Sequence, residues 1–130
     1  MTLNSLTLSE ASALRPLPHM EDFDISSCWK VDELGLITLL NRLGANLIRL
    51  NIAGINVSLS EVGNLAPGVL GKLEELNMHM ARAVTRTNLL ALLAMAPIKR
   101  IDLRDSLITE EWLFERYPHI KCITSICRGV

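Results

Sequence analysis

The chain has 130 residues and a net charge of -1; 49% of its residues are apolar and only 4% are aromatic. That length holds one domain spanning 1–130 around one core, which Leu and Ile must fill. The near-neutral charge gives no general pull toward nucleic acid or an anionic membrane, and no apolar run approaches the roughly 20 residues needed to span a bilayer.

In chain order, one short phrase returns. It reads apolar-x-x-apolar-x-apolar at Leu3–Leu8, Met20–Ile25, Leu47–Ile52, Leu73–Met78 and Ile98–Leu103, with a weaker copy at Ile120–Ser125. The starts lie 17, 27, 26, 25 and 22 residues apart. The last two apolar positions of each phrase are two apart, which is strand periodicity. Between the first two phrases, Pro16 and Pro18 argue against a helix, so the first unit is expected to be truncated. After the second phrase, Asp32 is placed to cap a helix over Glu33–Leu43, with Leu36, Ile37, Leu39, Leu40 and Leu43 at helical spacing. Ser60 is expected to start a segment through Val62 and Leu65 that Pro67-Gly68 breaks. Thr87 is expected to start a third segment that Pro97 stops. Thr109, followed by Glu110 and Glu111, starts a fourth with Trp112, Leu113 and Phe114 inside it and Pro118 beyond.

Strand, helix and next strand in one sheet imply parallel strands with right-handed crossovers. A unit repeated at this period cannot bury its apolar face alone and must stack on its neighbours. Helices are wider than the strand spacing, so the predicted fold is α/β: a short solenoid or horseshoe segment, strands on the concave face and helices on the convex face.

The residues that carry a family resemblance are Phe23-Asp24-Ile25-Ser26-Ser27-Cys28-Trp29-Lys30-Val31-Asp32-Glu33-Leu34-Gly35-Leu36 and Ile101-Asp102-Leu103-Arg104-Asp105-Ser106-Leu107-Ile108-Thr109-Glu110-Glu111. They resemble the leucine-rich repeat family, in its cysteine-containing or ribonuclease-inhibitor-like subclass, as in F-box leucine-rich repeat proteins. The second stretch has Ser106 where that subclass has Cys. The Leu50 unit departs from the pattern through Pro67-Gly68, the Leu76 unit through Met80 and Val84. The resemblance covers nearly the whole chain and implies a fold rather than a function.

Chemistry is sparse. Cys28 falls at the cysteine position of the repeat, where a small side chain packs in the turn. Cys122 alternates with Ile120 and Ile123 and is expected to face outward, and Cys127 lies near the end. None forms C-x-x-C, and the odd count argues against a disulfide framework. His19, His79 and His119 are scattered, no glycine-rich phosphate loop is present, and an enzyme, a cofactor and a metal site are all rejected.

What remains is the predicted strand face. Across neighbouring strands it presents Asp22 and Asp24, then Arg49 and Asn51, then Glu75, Asn77 and His79, then Arg100, Asp102 and Arg104. These rungs either pair with one another as a solvated ladder or contact a partner, and Trp29 is a candidate anchor. Mixed charge favours a protein partner over nucleic acid, which would want a continuous basic stripe. The expected function is a non-catalytic protein-interaction module using its concave face or an uncapped edge, with self-association through exposed edge strands as a further possibility. By analogy with the F-box proteins, the alternative is the substrate-recognition segment of a ubiquitin-ligase adaptor; a subunit completed by a partner is a third. Met1-Thr2-Leu3-Asn4-Ser5 lacks the basic flank of a secretory signal, so a cytoplasmic or nuclear location with no membrane contact is expected.

Overall fold

The computed structural model describes residues 21–26 and 30–122. Five parallel strands form one sheet in chain order: β1 (Asp22–Asp24), β2 (Arg49–Asn51), β3 (Glu75–Asn77), β4 (Arg100–Asp102) and β5 (Lys121–Cys122). Three helices connect them: α1 (Glu33–Leu43), α2 (Arg86–Met95) and α3 (Glu110–Arg116). Between β2 and β3 the chain makes only a 3₁₀ turn, Val62–Asn64. The phrase Leu3–Leu8 and the residues His19, Cys28, Trp29, Ile123 and Cys127 lie outside the described residues.

β1 to β4 are three residues long because each spans only the x-apolar-x centre of its phrase. Phe23, Leu50, Leu76 and Ile101 pair side by side across the sheet and all are buried. The last apolar residue of each phrase, Ile25, Ile52, Met78 or Leu103, is buried with them. Past β2, β3 and β4 the chain folds back in the same way: Ile55, Ala81 and Ser106 donate their N–H to the carbonyls of Ile52, Met78 and Leu103. Ile55 and Ala81 are buried there. Ser106 satisfies its hydroxyl by donating to the Leu103 carbonyl at 2.7 Å.

Helix boundaries follow local chemistry. Asp32 accepts the Gly35 N–H at 2.7 Å, and α1 occupies the residues expected of it. Thr109 accepts from Trp112 at 3.2 Å. The third start is corrected: Thr85, not Thr87, caps α2 by accepting from Asn88 at 3.3 Å, so Thr87 lies inside the first turn. The Ser60 start is also corrected. Glu61 precedes the 3₁₀ turn without a side-chain cap, and Pro67 lies too close for a helix to grow.

Neighbouring elements hold the helix-less segment in place. The Glu33 carboxylate accepts the N–H groups of Ser58 (3.1 Å), Leu59 (2.9 Å) and Glu61 (3.3 Å). Asn41 accepts from Ala66 at 2.8 Å, and Asn88 donates to the Ser58 carbonyl at 2.9 Å. Buried Val57, Leu59, Val62 and Leu65 complete this layer of the core. A side chain at Gly44 would meet the Val69 carbonyl at 3.1 Å, so this glycine lets α1 end against the next segment.

The last strand departs from its phrase. Aligning phrases places Arg100 beside Cys122, whereas β5 pairs Arg100 with Lys121 and Ile101 with Cys122. Four residues separate helix from strand both before β4 and before β5. The connection keeps its length while the apolar opening residue comes one position later in the sequence. A one-residue slip exchanges the two faces of a strand. Cys122 is therefore not outward: it is half-buried and packs against the core. Burial, followed by the charge of Glu110, raises its thiol pKa above the ordinary value.

Candidate interaction face

The exposed side of the sheet is organised in columns that run from strand to strand. In the first column Asp22, Arg49, Glu75, Arg100 and Lys121 stand in register. Arg49 pairs with Asp22, and Arg100 pairs with Glu75 at 2.6 Å and with Glu74 at 3.8 Å. Lys99 meets Glu74 at 3.5 Å. The Asp22 carboxylate raises the Arg49 pKa further above its ordinary value, chiefly through the hydrogen bond. Acid and base rungs thus satisfy each other across neighbouring strands, as the solvated-ladder reading of the sequence holds. The Arg49–Asp22 and Lys99–Glu74 pairs are exposed, and pairs this accessible contribute only about 0–1 kcal/mol each, so a partner's charges can replace them at little cost.

The second column is Asp24, Asn51, Asn77 and Asp102, and here the expected exposure is corrected. Asn77 is 5% exposed and Asp102 is fully buried. Each Oδ1 accepts the backbone N–H two residues on: Ser26 at 2.8 Å, Ala53 at 2.9 Å, His79 at 3.0 Å and Arg104 at 3.1 Å. The strand ends at this point, and the side chain satisfies an amide that the turn would otherwise leave unpaired. Arg104 folds back to give Asp102 two guanidinium hydrogen bonds, from Nε at 3.2 Å and Nη2 at 3.1 Å. These four residues lock turns. Asp24 and Asn51 stay half-buried, whereas Asn77 and Asp102 are buried and leave the candidate surface.

The rim beyond the strands takes their place. Gly54, Met80 and Asp105 stand at the same point of successive turns with φ of 71°, 62° and 58°. The Gly54 N–H donates to the His79 carbonyl and the Met80 N–H to the Arg104 carbonyl, both at 2.9 Å, so the ladder continues into the turns. His79 Nε2 lies 3.1 Å from Asp105 Oδ2. Arg82 Nε donates to the Asp105 carbonyl at 3.3 Å. Met80 is 45% exposed and Leu107 58%. The rim is therefore apolar at two points, between arginines and a histidine. Arg82, Asp105 and Leu107 were not among the residues expected from sequence. The signal that could find them is Gly54, whose left-handed turn position recurs as Met80 and Asp105.

On the helical side Trp112 is half-buried, with the Arg116 guanidinium 4.6 Å and the Arg86 guanidinium 5.5 Å from its ring centre. His119 is exposed and meets the Tyr117 ring edge-on at 6.0 Å. Among the described residues, no group of three or more His, Cys, Asp and Glu is placed to hold a metal ion. No buried side-chain nitrogen or oxygen among them lacks a hydrogen-bond partner. None of their helices is long and apolar enough to cross a membrane. No family model, curated protein or solved structure matches this chain.

Proposed function

We propose that the chain is a short leucine-rich-repeat-like solenoid that acts as a non-catalytic docking module for another protein. The observation that carries this reading is the rim of the sheet, where Met80 and Leu107 remain exposed beside Arg82, His79 and the half-buried Arg104. Adaptable methionine and aliphatic contacts ringed by arginine suit a protein surface. The neighbouring rungs, Arg49 with Asp22 and Arg100 with Glu75, lend charge that a partner can exchange. The parallel strands run in chain order, and successive units share the same turn hydrogen bonds, as expected of a stacked repeat.

The test is affinity purification with mass spectrometry on wild type and on Arg49→Ala/Met80→Ala/Arg100→Ala. Each protein recovered only with wild type is then purified and its binding re-measured. All three side chains are accessible, so the variant should keep its fold by circular dichroism while losing at least tenfold in affinity. Equal recovery with both chains, in a variant that melts normally, defeats the reading.

A further inference from the structure

From Leu76 to Ile101 the chain holds no Asp or Glu, although the protein as a whole is close to neutral. Arg82, Arg86, Lys99 and Arg100 all fall in this stretch. Lys99 and Arg100 belong to the ladder of the sheet and are matched by Glu74 and Glu75. Arg82 and Arg86 have no such match. Arg82, in the turn before α2, gives its Nε–H to the Asp105 carbonyl at 3.3 Å, and the Asp105 carboxylate is taken by His79 at 3.1 Å. Arg86, the first residue of α2, leans on the Trp112 ring of α3 with its guanidinium 5.5 Å from the ring centre. Both arginines thus reach from one unit to the next. Among the described residues, no carboxylate stands within ion-pair distance of either.

Arg116 completes the group. From the last turn of α3 it reaches back over the same half-buried indole, 4.6 Å from the ring centre, and its Nη1 donates to the Trp112 carbonyl at 3.3 Å. Its contact with Glu115, at 3.9 Å between two accessible side chains, neutralises little. The other carboxylates of α3, Glu110 and Glu111, line its β5 side. A ring face holds a guanidinium without cancelling its charge, whereas a carboxylate cancels it. One indole therefore fixes two arginines beside each other and leaves both cationic. Packing on Trp112 orders these long side chains before any ligand arrives, which lowers the entropic cost of binding. Each guanidinium fork fits a carboxylate through two parallel hydrogen bonds.

We infer that Arg86 and Arg116, set on Trp112 and extended by Arg82, bind an acidic, carboxylate-bearing segment of a partner protein. Charge complementarity selects that occupant. The rest of this chain does not supply it: residues 1–20, 27–29 and 123–130, outside the described ones, contain a single acidic side chain, Glu10. Trp and Arg are also the residues that most often anchor protein interfaces. This inference rests on the docking reading above; it names the chemistry of the partner and carries the contact from the rim onto the helices.

The experiment pans a random dodecapeptide display library on the full chain and measures synthetic copies of the enriched peptides by fluorescence anisotropy. Those peptides are expected to be rich in Asp and Glu and to bind more weakly as salt rises. On Arg86→Ala/Arg116→Ala their affinity should fall about tenfold or more. Lys99→Ala, which removes a charge already paired with Glu74, should leave it unchanged. Arg86→Lys/Arg116→Lys keeps both charges but not the forks, and should lie between the Ala pair and wild type. If the Ala pair melts early, the Lys pair decides. The inference is overturned if no acidic peptide enriches, if both arginine variants bind like wild type, or if Lys99→Ala weakens binding as much as they do. It is equally overturned if an RNA or DNA oligonucleotide displaces the peptides as well as unlabelled peptide does. A wild-type oligomer in sedimentation that Arg86→Ala/Arg116→Ala disperses also overturns it, since a second copy then fills the patch. Should the peptides ignore these arginines while Arg49→Ala/Met80→Ala/Arg100→Ala still loses its partner, the docking reading stands and only this surface falls.

Discussion

Met80 and Asp105 occupy a left-handed turn position whose counterpart, Gly54, is a glycine, and the three differ in what that conformation costs them. Glycine adopts it freely, and aspartate tolerates it through its short polar side chain. Methionine sets its Cβ against the following carbonyl at a cost of about 1 kcal/mol. Met80 is nearly half exposed, so little packing offsets that strain. Met80→Gly should therefore raise the melting temperature or leave it unchanged, the gain being reduced by the greater freedom of glycine in the unfolded chain. Met80→Ala keeps the strain and should not raise it. Thermal melts of the two variants decide the point, and a clear loss of stability in Met80→Gly would show that the side chain packs more than its exposure implies. A strained, accessible residue at the rim is also what a binding role would retain. At this scale the sequence misleads at Asn77 and Asp102. Their alternation with core residues reads as outward facing, but a short Asx side chain at a strand end turns back onto its own backbone.

Among the elements, the segment between β2 and β3 is the one most dependent on its neighbours. It lacks a helix because Pro67-Gly68 interrupts it, so its amides need partners from outside, and Glu33, Asn41 and Asn88 meet it from α1 and α2. Glu33→Ala removes the acceptor from two partly buried N–H groups, Ser58 and Leu59, and from the exposed one of Glu61, and should destabilise the fold by about 2 kcal/mol, measured by urea unfolding. Glu33→Gln retains one acceptor oxygen and should cost about half as much. If the Ala variant unfolds like wild type, water replaces the carboxylate and the segment does not depend on it. Helix starts were legible where a single Asp or Thr preceded an apolar run, as at Asp32 and Thr109. The start of α2 was misplaced because Thr85 and Thr87 are both sound caps. Only packing of Leu89, Leu92 and Leu93 toward the core selects between them.

At the scale of the molecule, one hydrophobic core passes through every unit from Phe23 to Ile120. Leu76 sits at its centre, on the middle strand, fully buried between Leu50 and Ile101. Leu76→Ala should cost about 2–5 kcal/mol, and circular dichroism and tryptophan fluorescence should report a single shared transition. Two separated transitions would mean that the units unfold independently. The amino-acid sequence by itself determined the α/β class, the positions of β1 to β4 and the apolar residues of their phrases that enter the core, because period-2 phrases and helical runs are local patterns that hydrophobic burial reads directly. It also named the charged rungs Asp22, Arg49, Glu75 and Arg100. Tertiary structure alone decided what those residues do. Whether a polar side chain faces a partner, pairs with the next strand or locks its own turn depends on neighbours some 25 residues away, and on the one-residue register that draws Cys122 toward the core.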